Sequence, residues 1–280
     1  MLKTADYKKL IELAIEEDTN GKCDVTSEAI FADEKAFAEL VSKDSGILAG
    51  IEVFKSVFKT IDENIEVLLN FEDGAELKFG DCVSKISGNA VSILKAERIA
   101  INFISFLSGI STKTNQYVKK ASEAGNSIIL DTRKTLPGFR KISKYAVSIG
   151  GGKNHRMGLY DMVMIKDNHI DVAGSITKAV ELVRKKWGGQ FLIEVECRTS
   201  NHVKEALENK VDIIMLDNMN DDKMTRCMEL SKNKVKYEAS GGIDLNRIKE
   251  VSRTGVDYIS VGALTHTVKA FDFSLRMKYE

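Results

Sequence analysis

Short apolar runs recur through the second half of the chain and alternate with amphipathic stretches of helical spacing. The runs begin at Ser127 and are, in order, SIILD, MVMIKD, FLIEVE, VDIIMLD, VKYEAS and VDYISVG. They return roughly every 20 to 40 residues, which is the cadence of βα units around a parallel sheet or barrel. Because the runs are apolar almost throughout, they are typical of strands covered on both faces. The sequence therefore predicts a parallel α/β sheet or barrel here.

The first third of the chain has a different pattern. Apolar residues recur at helical spacing within Tyr7–Ile15 and again in IEVFKSVFKTI. Five β-prone runs punctuated by glycines accompany them: AELVSK, GILAG, IEVLLNF, CVSKISG and AVSILK. An apolar stripe from Ile99 to Ile110 then predicts a long helix, and spacing alone makes Arg98 a solvated residue near its start. We expect this third to form a separate α+β domain.

Polar residues or glycines stand at the carboxyl end of every apolar run in the second half. They are Asp131, Lys166, Glu196, Asp217, Ser240 and Gly262. In α/β barrels the carboxyl ends of all strands converge on one mouth, where the catalytic groups lie. One charged residue after a buried strand is common in turns. Ionisable residues in four successive units, followed by two glycine-containing turns, indicate a shared active site.

The last two units favour a phosphorylated ligand. The sequences SGGI, from Ser240 to Ile243, and VGAL, from Val261 to Leu264, each place glycine between a strand and a predicted helix. Barrels often bind phosphate at the loops after their final strands, through backbone N–H groups. Glycine allows the backbone to approach the phosphate oxygens closely. Either loop alone is a weak signal, but the two together predict a phosphate site.

A local excess of cations precedes these loops, in a chain whose 41 basic and 41 acidic residues otherwise cancel. The cations are Arg133, Lys134, Arg156 and Lys166. The overall balance gives no global field for nucleic acid or an anionic membrane. Arginine binds carboxylate bidentately, so Arg133 and Arg156 suit a dicarboxylate. The carboxylates of Glu196 and Asp217 suit Mg²⁺ or ribose hydroxyls. These residue types predict transfer between a phosphorylated sugar and an acidic co-substrate.

Cysteine usage and hydropathy indicate a compartment. Cys23, Cys82, Cys197 and Cys227 are scattered without a CxxC pair, as expected for reduced thiols in a reducing environment. The N-terminal stretch mixes acids and lysines with its apolar residues, unlike a signal peptide. No apolar run approaches the ~20 residues that span a bilayer. We therefore expect a cytoplasmic protein.

Three long motifs stand at the centre of the chain: DTRKTLPGFR, GGGKNHRMGL and IKDNHI. Others flank them in order: DVTSEAI, GILAG, ERIAINFISFLSGI, IEVE, IMLDN, EASGGI and ISVGALTH. Together they resemble the quinolinate phosphoribosyltransferase family (nicotinate-nucleotide pyrophosphorylase, carboxylating), over nearly the whole chain. One departure is Leu136, where threonine is frequent in the family and where an apolar side chain would alter loop packing.

The resemblance implies a two-domain architecture. An open, seven-stranded α/β barrel of the type II phosphoribosyltransferase class would occupy residues 109–269, after an N-terminal α/β sandwich domain at residues 1–108. We expect the tail, residues 270–280, to pack back on that N-terminal domain. The resemblance also implies a homodimer in which the N-terminal domain of one subunit closes the barrel mouth of the other. Dimers, and hexamers assembled from those dimers, are both compatible with it.

The resemblance also implies roles for individual residues. The quinolinate-binding groups of the family match Arg133, His155, Arg156 and Lys166, with Arg98 of the partner subunit as a fifth. The phosphoribosyl pyrophosphate and Mg²⁺ region matches Lys134, Glu196, Asp217, Ser240, Gly241, Gly242, Gly262 and His266. For His266, a helix-capping role is an equal alternative. Catalytic roles fall to Lys134, Lys166, Glu196 and Asp217, and the last two would hold Mg²⁺ directly or through water.

The family is a group of pentosyltransferases. In its reaction the pyridine nitrogen of quinolinate displaces pyrophosphate from C1 of phosphoribosyl pyrophosphate through an oxocarbenium-like centre. The 2-carboxylate then leaves as CO₂, which gives nicotinate mononucleotide for NAD synthesis. The cations would act by proximity and charge, and the acids would stabilise the ribosyl centre or hold Mg²⁺. Decarboxylation needs no further cofactor, because the pyridinium nitrogen is the electron sink.

Four alternatives compete with this prediction. The first is an aldolase with a Schiff base at Lys166, which the neighbouring acids and an anionic ligand disfavour because they stabilise an ammonium. The second is a metal site at His155 and His169, which lacks a spacing such as HxxxH. The third is a non-catalytic anion binder, which would gain nothing from Glu196 and Asp217. The fourth is a paralogue of the molybdenum-associated ModD-like group, against which the full NHR and KDNH motifs stand.

Overall fold

The structure is a computed structural model that describes residues 2–231 and 235–278. After a 3₁₀ turn at Thr4–Asp6, its helices are α1 (Lys8–Thr19), α2 (Ser27–Ile30), α3 (Ile51–Ile61), α4 (Ala90–Ser122), α5 (Arg140–Ile149), α6 (Asp167–Ala173), α7 (Ile176–Trp187), α8 (Ser200–Glu208), α9 (Asp221–Glu229), α10 (Ile248–Arg253) and α11 (Ala263–His266). Its strands are β1 (Lys35–Ser42), β2 (Gly46–Ile47), β3 (Glu66–Leu69), β4 (Glu76–Leu77), β5 (Cys82–Asn89), β6 (Ile128–Leu130), β7 (Val163–Ile165), β8 (Ile193–Cys197), β9 (Ile213–Asp217), β10 (Lys236–Ser240), β11 (Tyr258–Ser260) and β12 (Phe273–Lys278). These elements divide into two compact units.

The first unit is an α+β unit that contains the chain up to Asn115, Thr135–Gly151 and the segment from Thr267 onward. Its main sheet is antiparallel and has the order β12-β1-β5-β3. β12 lies against β1 over six residue pairs, so the C-terminal segment completes the sheet of the N-terminal unit. α3 buries a continuous apolar face whose members are Val53, Phe54, Val57 and Phe58.

One strand predicted for this unit is wrong. The run AVSILK forms the first turns of α4. Asn89 precedes that helix, and its Oδ1 accepts the main-chain N–H of Ser92 at 3.0 Å, which satisfies a donor that the first helical turn leaves unpaired. A short run of apolar and β-branched residues does not by itself distinguish a strand from a helix. The polar residue before the run decides the outcome.

The second unit contains Gln116–Lys134 and Gly152–His266, and its sheet is parallel. The strand order is β6-β11-β10-β9-β8-β7, and each of the six apolar runs forms one of these strands. Lys153 adds a single parallel bridge to Leu130 and so takes the seventh position, beside β6. The predicted fold class, an open α/β barrel with an N-terminal α+β unit, is confirmed.

Side-chain caps start three of the helices that cover this sheet. Each capping oxygen accepts a main-chain N–H three residues later, and such a bond contributes about 1 kcal/mol. The caps are Ser175 of α7, Thr199 of α8 and Asn220 of α9. The last of these caps stands directly before Asp221, the first residue of α9. The caps of α8 and α9 end the loops that follow β8 and β9 and so hold those loops at one edge of the sheet. In the described part of the chain, no helix has the length and apolar character needed to cross a membrane.

Candidate active site

A cavity of about 780 Å³ lies at the carboxyl ends of the parallel strands. It brings together most of the predicted site residues: Arg133, Lys134, His155, Arg156, Lys166, Glu196, Asp217, Ser240, Gly241, Gly242, Gly262 and His266. Arg98 is not among the described residues that line it, but is exposed on α4 in the first unit. The second unit alone therefore presents cations, acids and glycine loops to one space.

Glu196 and Asp217 end the neighbouring strands β8 and β9 and share an arginine that the sequence analysis missed. Arg198 Nη2 lies 3.4 Å from Glu196 Oε1, and Arg198 Nε lies 3.7 Å from Asp217 Oδ2. Lys166 Nζ approaches the second Glu196 oxygen at 3.3 Å. Arg198 also pairs with Asp167 at 2.7 Å. The acids at the mouth are thus close enough together to be neutralised by the same cation.

Arg133 and Arg156 form the most cationic part of the cavity wall. Arg156 Nη1 donates to the carbonyl oxygen of Met162 at 3.1 Å, which fixes one edge of its guanidinium. Burial lowers the pKa of Arg156, and the neighbouring Arg133 lowers that pKa further by like-charge repulsion. An anion with two carboxylates would relieve this repulsion and accept from both forks.

His155 lines the same cavity, but both of its ring nitrogens are directed at protein groups. Nδ1 accepts the main-chain N–H of Arg156 at 2.7 Å. Nε2 lies 3.0 Å from Glu194 Oε2 and 3.5 Å from Glu238 Oε2. The main-chain N–H of His155 donates to Asp131 Oδ1 at 2.9 Å. The ring is therefore held by the interior of the second unit.

Glu194 and Glu238 are interior acids that the sequence analysis also missed. Their exposed fractions are 0% and 1%. Burial raises the pKa of Glu194 to about 7 and that of Glu238 to about 8, and the Glu194 carboxyl raises the Glu238 pKa further. The signal was present, because each lies two residues before a mouth residue, Glu196 or Ser240. In a strand, side chains two residues apart point to the same face.

The loops after β10 and β11 have backbone geometry suited to glycine. Gly241 has a φ of +101°, and a Cβ there would overlap Asn218 Oδ1. A Cβ on Gly262 would lie 3.1 Å from the His266 ring and 3.2 Å from the Lys134 side chain. The missing side chains leave main-chain N–H groups open to an anion beside Lys134 and His266.

The donor set at the mouth fits a hard divalent cation. Glu196 and Asp217 offer carboxylate oxygens next to the glycine loops, and oxygen ligands beside phosphate are those that Mg²⁺ prefers. Arg198 and Lys166 both lie beside these two carboxylates, which shows that Glu196 and Asp217 attract positive charge. A second cluster, His155 with Glu194 and Glu238, places three potential ligand atoms within 4.8 Å of one another. Arg156 and Lys166 already supply positive charge beside that cluster.

Family models match both parts of the chain. The model described as quinolinate phosphoribosyl transferase, N-terminal domain, matches residues 24–108. The model described as quinolinate phosphoribosyl transferase, C-terminal domain, matches residues 110–276. The second match includes every residue that lines the cavity.

Individual relatives agree with the family models. A probable nicotinate-nucleotide pyrophosphorylase [carboxylating] of Bacillus subtilis is 43% identical over 268 residues, which are 96% of this chain and 92% of the relative. A mitochondrial quinolinate phosphoribosyltransferase [decarboxylating] of Nicotiana glauca is 42% identical, over 99% of this chain and 84% of the relative. NadC from Streptococcus pyogenes superposes with a TM-score of 0.96 at 37% identity, over 100% of this chain and 99% of that one. The nicotinate-nucleotide pyrophosphorylase of Francisella tularensis superposes with a TM-score of 0.95 at 38% identity, over 99% of this chain and 98% of that chain.

Proposed function

The chain belongs to the quinolinate phosphoribosyltransferase family, and from that premise we propose how its active site divides between two substrates. The reaction is phosphoribosyl transfer from 5-phosphoribosyl 1-pyrophosphate to quinolinate with decarboxylation, which forms nicotinate mononucleotide in NAD biosynthesis. The observation that carries the division is one cavity whose lining includes two neighbouring arginines, Arg133 and Arg156, and the two glycine loops after β10 and β11.

Arg133, Arg156 and Lys166 bind quinolinate. Two guanidinium groups that repel each other match two adjacent carboxylates, and Lys166 adds a third positive charge next to Glu196. His155 forms the wall of this half. Held there, the ring nitrogen of the dianion is close to the carbon that it attacks, so that part of the rate enhancement comes from proximity.

The phosphoribosyl pyrophosphate half consists of the glycine loops, Lys134, His266 and the mouth acids. Main-chain N–H groups at Gly241, Gly242 and Gly262 bind phosphate oxygens, together with Ser240. Glu196 and Asp217 stabilise the positive charge that develops on the ribosyl carbon, and they would hold Mg²⁺ directly or through water. Bound Mg²⁺ supplies charge neutralisation for the pyrophosphate leaving group.

The two chemical steps follow from this arrangement. The lone pair of the pyridine nitrogen forms the new bond to C1, and the C1–O bond breaks with its electrons passing to pyrophosphate. In the product the ring nitrogen is positively charged. The electron pair of the bond to the 2-carboxylate then remains on C2 next to that nitrogen, CO₂ leaves, and C2 takes up a proton. Lys134 and Lys166 keep the anions of both substrates in place through the first step.

We further propose a cytoplasmic homodimer. Arg98 is exposed on α4 of the first unit and would complete the quinolinate site of the partner subunit. The four cysteines are free thiols, which supports a reducing compartment.

The direct test of the activity is release of pyrophosphate and CO₂ from purified protein given phosphoribosyl pyrophosphate, Mg²⁺ and quinolinate. Nicotinate is the matched control, because it lacks the carboxylate that is lost. We expect both products with quinolinate and neither with nicotinate. Product formation without CO₂ would refute the proposal, as would dependence on a different acid.

The division of the site predicts unequal effects of one substitution on the two KM values. Removing a guanidinium at Arg133→Ala or Arg156→Ala takes away a bidentate partner of quinolinate only. We expect the KM for quinolinate to rise about 100-fold, as for a charge-assisted pair of roughly 3 kcal/mol, with the KM for phosphoribosyl pyrophosphate nearly unchanged. Steady-state kinetics with each substrate varied in turn measures both. Equal increases would show that the arginines do not belong to the quinolinate half.

A further inference from the structure

The segment that carries Arg156 is anchored to the second unit through His155. Asp131, directly after β6, accepts the main-chain N–H of His155 at 2.9 Å. The imidazole Nε2 faces Glu194 of β8 at 3.0 Å and Glu238 of β10 at 3.5 Å. Three strands of one sheet thus converge on a single residue.

The same ring holds the start of Arg156. Its Nδ1 accepts the Arg156 main-chain N–H at 2.7 Å, so Nδ1 is an acceptor and the ring proton of a neutral imidazole lies on Nε2. The Nε2–H group faces two carboxyl groups of the interior, with Glu194 Oε2 at 3.0 Å and Glu238 Oε2 at 3.5 Å. Carboxyl oxygens at both positions favour the proton on Nε2, and that tautomer leaves Nδ1 as the acceptor for Arg156.

We propose that Glu194 and Glu238 are positioning residues that hold the His155 ring and, through it, Arg156 in the orientation that binds the dicarboxylate. The inference rests on the proposed function, because it assigns quinolinate to Arg156. It gives His155 a supporting role toward Arg156 in addition to its place in the cavity wall. A bidentate guanidinium pair tolerates displacement of about 0.5 Å, so the anchor of Arg156 affects affinity.

The charges around the cluster favour this role over a metal site, because Arg156 and Lys166 already place positive charge beside Glu194. The side chain of His155 is only 7% exposed, which suits a support beneath the cavity wall.

The kinetic test compares two neutral replacements of one buried acid. Glu194→Gln keeps a polar oxygen beside Nε2, whereas Glu194→Met has similar length and no such oxygen, so the pair tests that oxygen at constant charge. We expect Glu194→Met to raise the KM for quinolinate about tenfold relative to Glu194→Gln. The KM for phosphoribosyl pyrophosphate should differ less than about twofold between them. Equal quinolinate KM values, or equal changes in both KM values, would overturn the inference.

A spectroscopic test covers the case in which Glu194→Met does not fold. The ¹⁵N shifts of the His155 ring identify its tautomer in wild-type protein labelled at histidine, and His155→Gln assigns the signal. We expect the Nε2–H tautomer in the wild-type protein and in Glu194→Gln. An Nδ1–H tautomer in the wild-type protein would overturn the inference without any activity measurement.

Arg156→Ala, measured alongside, separates the two levels of the argument. If it leaves the quinolinate KM unchanged, the proposed division of the site fails. If Arg156→Ala raises that KM while Glu194→Met and Glu194→Gln remain alike, only the positioning role fails.

Discussion

Glu238 is the residue in which burial and charge conflict most directly. Its pKa is raised from an ordinary value of 4.5 to about 8. The folded protein therefore holds a proton that the unfolded chain releases, and this contribution to stability is lost as the pH rises from about 4.5 through about 8. We expect the unfolding midpoint of Glu238→Gln, which cannot titrate, to fall less than that of the wild type between pH 5 and pH 8.

Thermal unfolding across this range, followed by circular dichroism, measures the difference. Glu208→Gln, at an exposed position on α8, is the control and should follow the wild-type curve. If Glu238→Gln also follows the wild-type curve, the buried carboxyl does not take up a proton on folding.

The residues of the mouth were predictable and those beneath it were not recognised, for one physical reason. Strand-end position identifies Lys166, Glu196 and Asp217, because all carboxyl ends of a parallel sheet lie at one edge. Glu194 and Glu238 lie inside apolar runs, so their positions do not mark them as strand-end residues. Arg198 follows a strand by one residue, and only the folded distances show that it faces both mouth acids.

At the scale of elements, the loop after β10 depends on a backbone that only glycine adopts readily. Gly241→Ala would add strain at a φ of +101° and force Asn218 to move. We expect a loss of stability of about 1–3 kcal/mol and a raised KM for phosphoribosyl pyrophosphate. Gly255→Ala is the matched control, because it has a φ of +87° with open space around it and lies before β11, outside the cavity lining. Gly255→Ala should lower stability and leave the KM values for quinolinate and phosphoribosyl pyrophosphate unchanged. The same change in KM for phosphoribosyl pyrophosphate in both variants would refute a phosphate role for the Gly241 loop.

Helices and strands were predicted well where apolar residues form a continuous run or recur at a regular spacing. All six apolar runs of the second half are strands, and the runs AELVSK and CVSKISG fall in β1 and β5. The resemblance implies a seventh strand, but periodicity does not locate it in the chain, since Lys153 follows a run of glycines and pairs through one bridge only. A strand of one residue has no period to detect.

At the scale of the whole molecule, the proposed homodimer makes a prediction that one chain alone cannot satisfy. Arg98→Ala and Lys166→Ala should each be inactive as pure dimers. Co-expressed with different affinity tags and purified as heterodimers, they should recover about half of the wild-type activity, because one of two sites then contains both intact residues. The recovery requires Arg98 and Lys166 to come from different subunits.

The control for subunit exchange is the heterodimer of Arg133→Ala with Lys166→Ala. Both of these residues line one cavity within the second unit of the same chain, so neither site of that heterodimer is intact and activity should stay absent. Recovery in this control would mean that the cavity itself is shared between subunits. If both pure dimers are inactive and the Arg98 heterodimer shows no recovery, Arg98 does not act across the interface. Full activity of the pure Arg98→Ala dimer would leave Arg98 as the solvated helix residue that its spacing alone predicts.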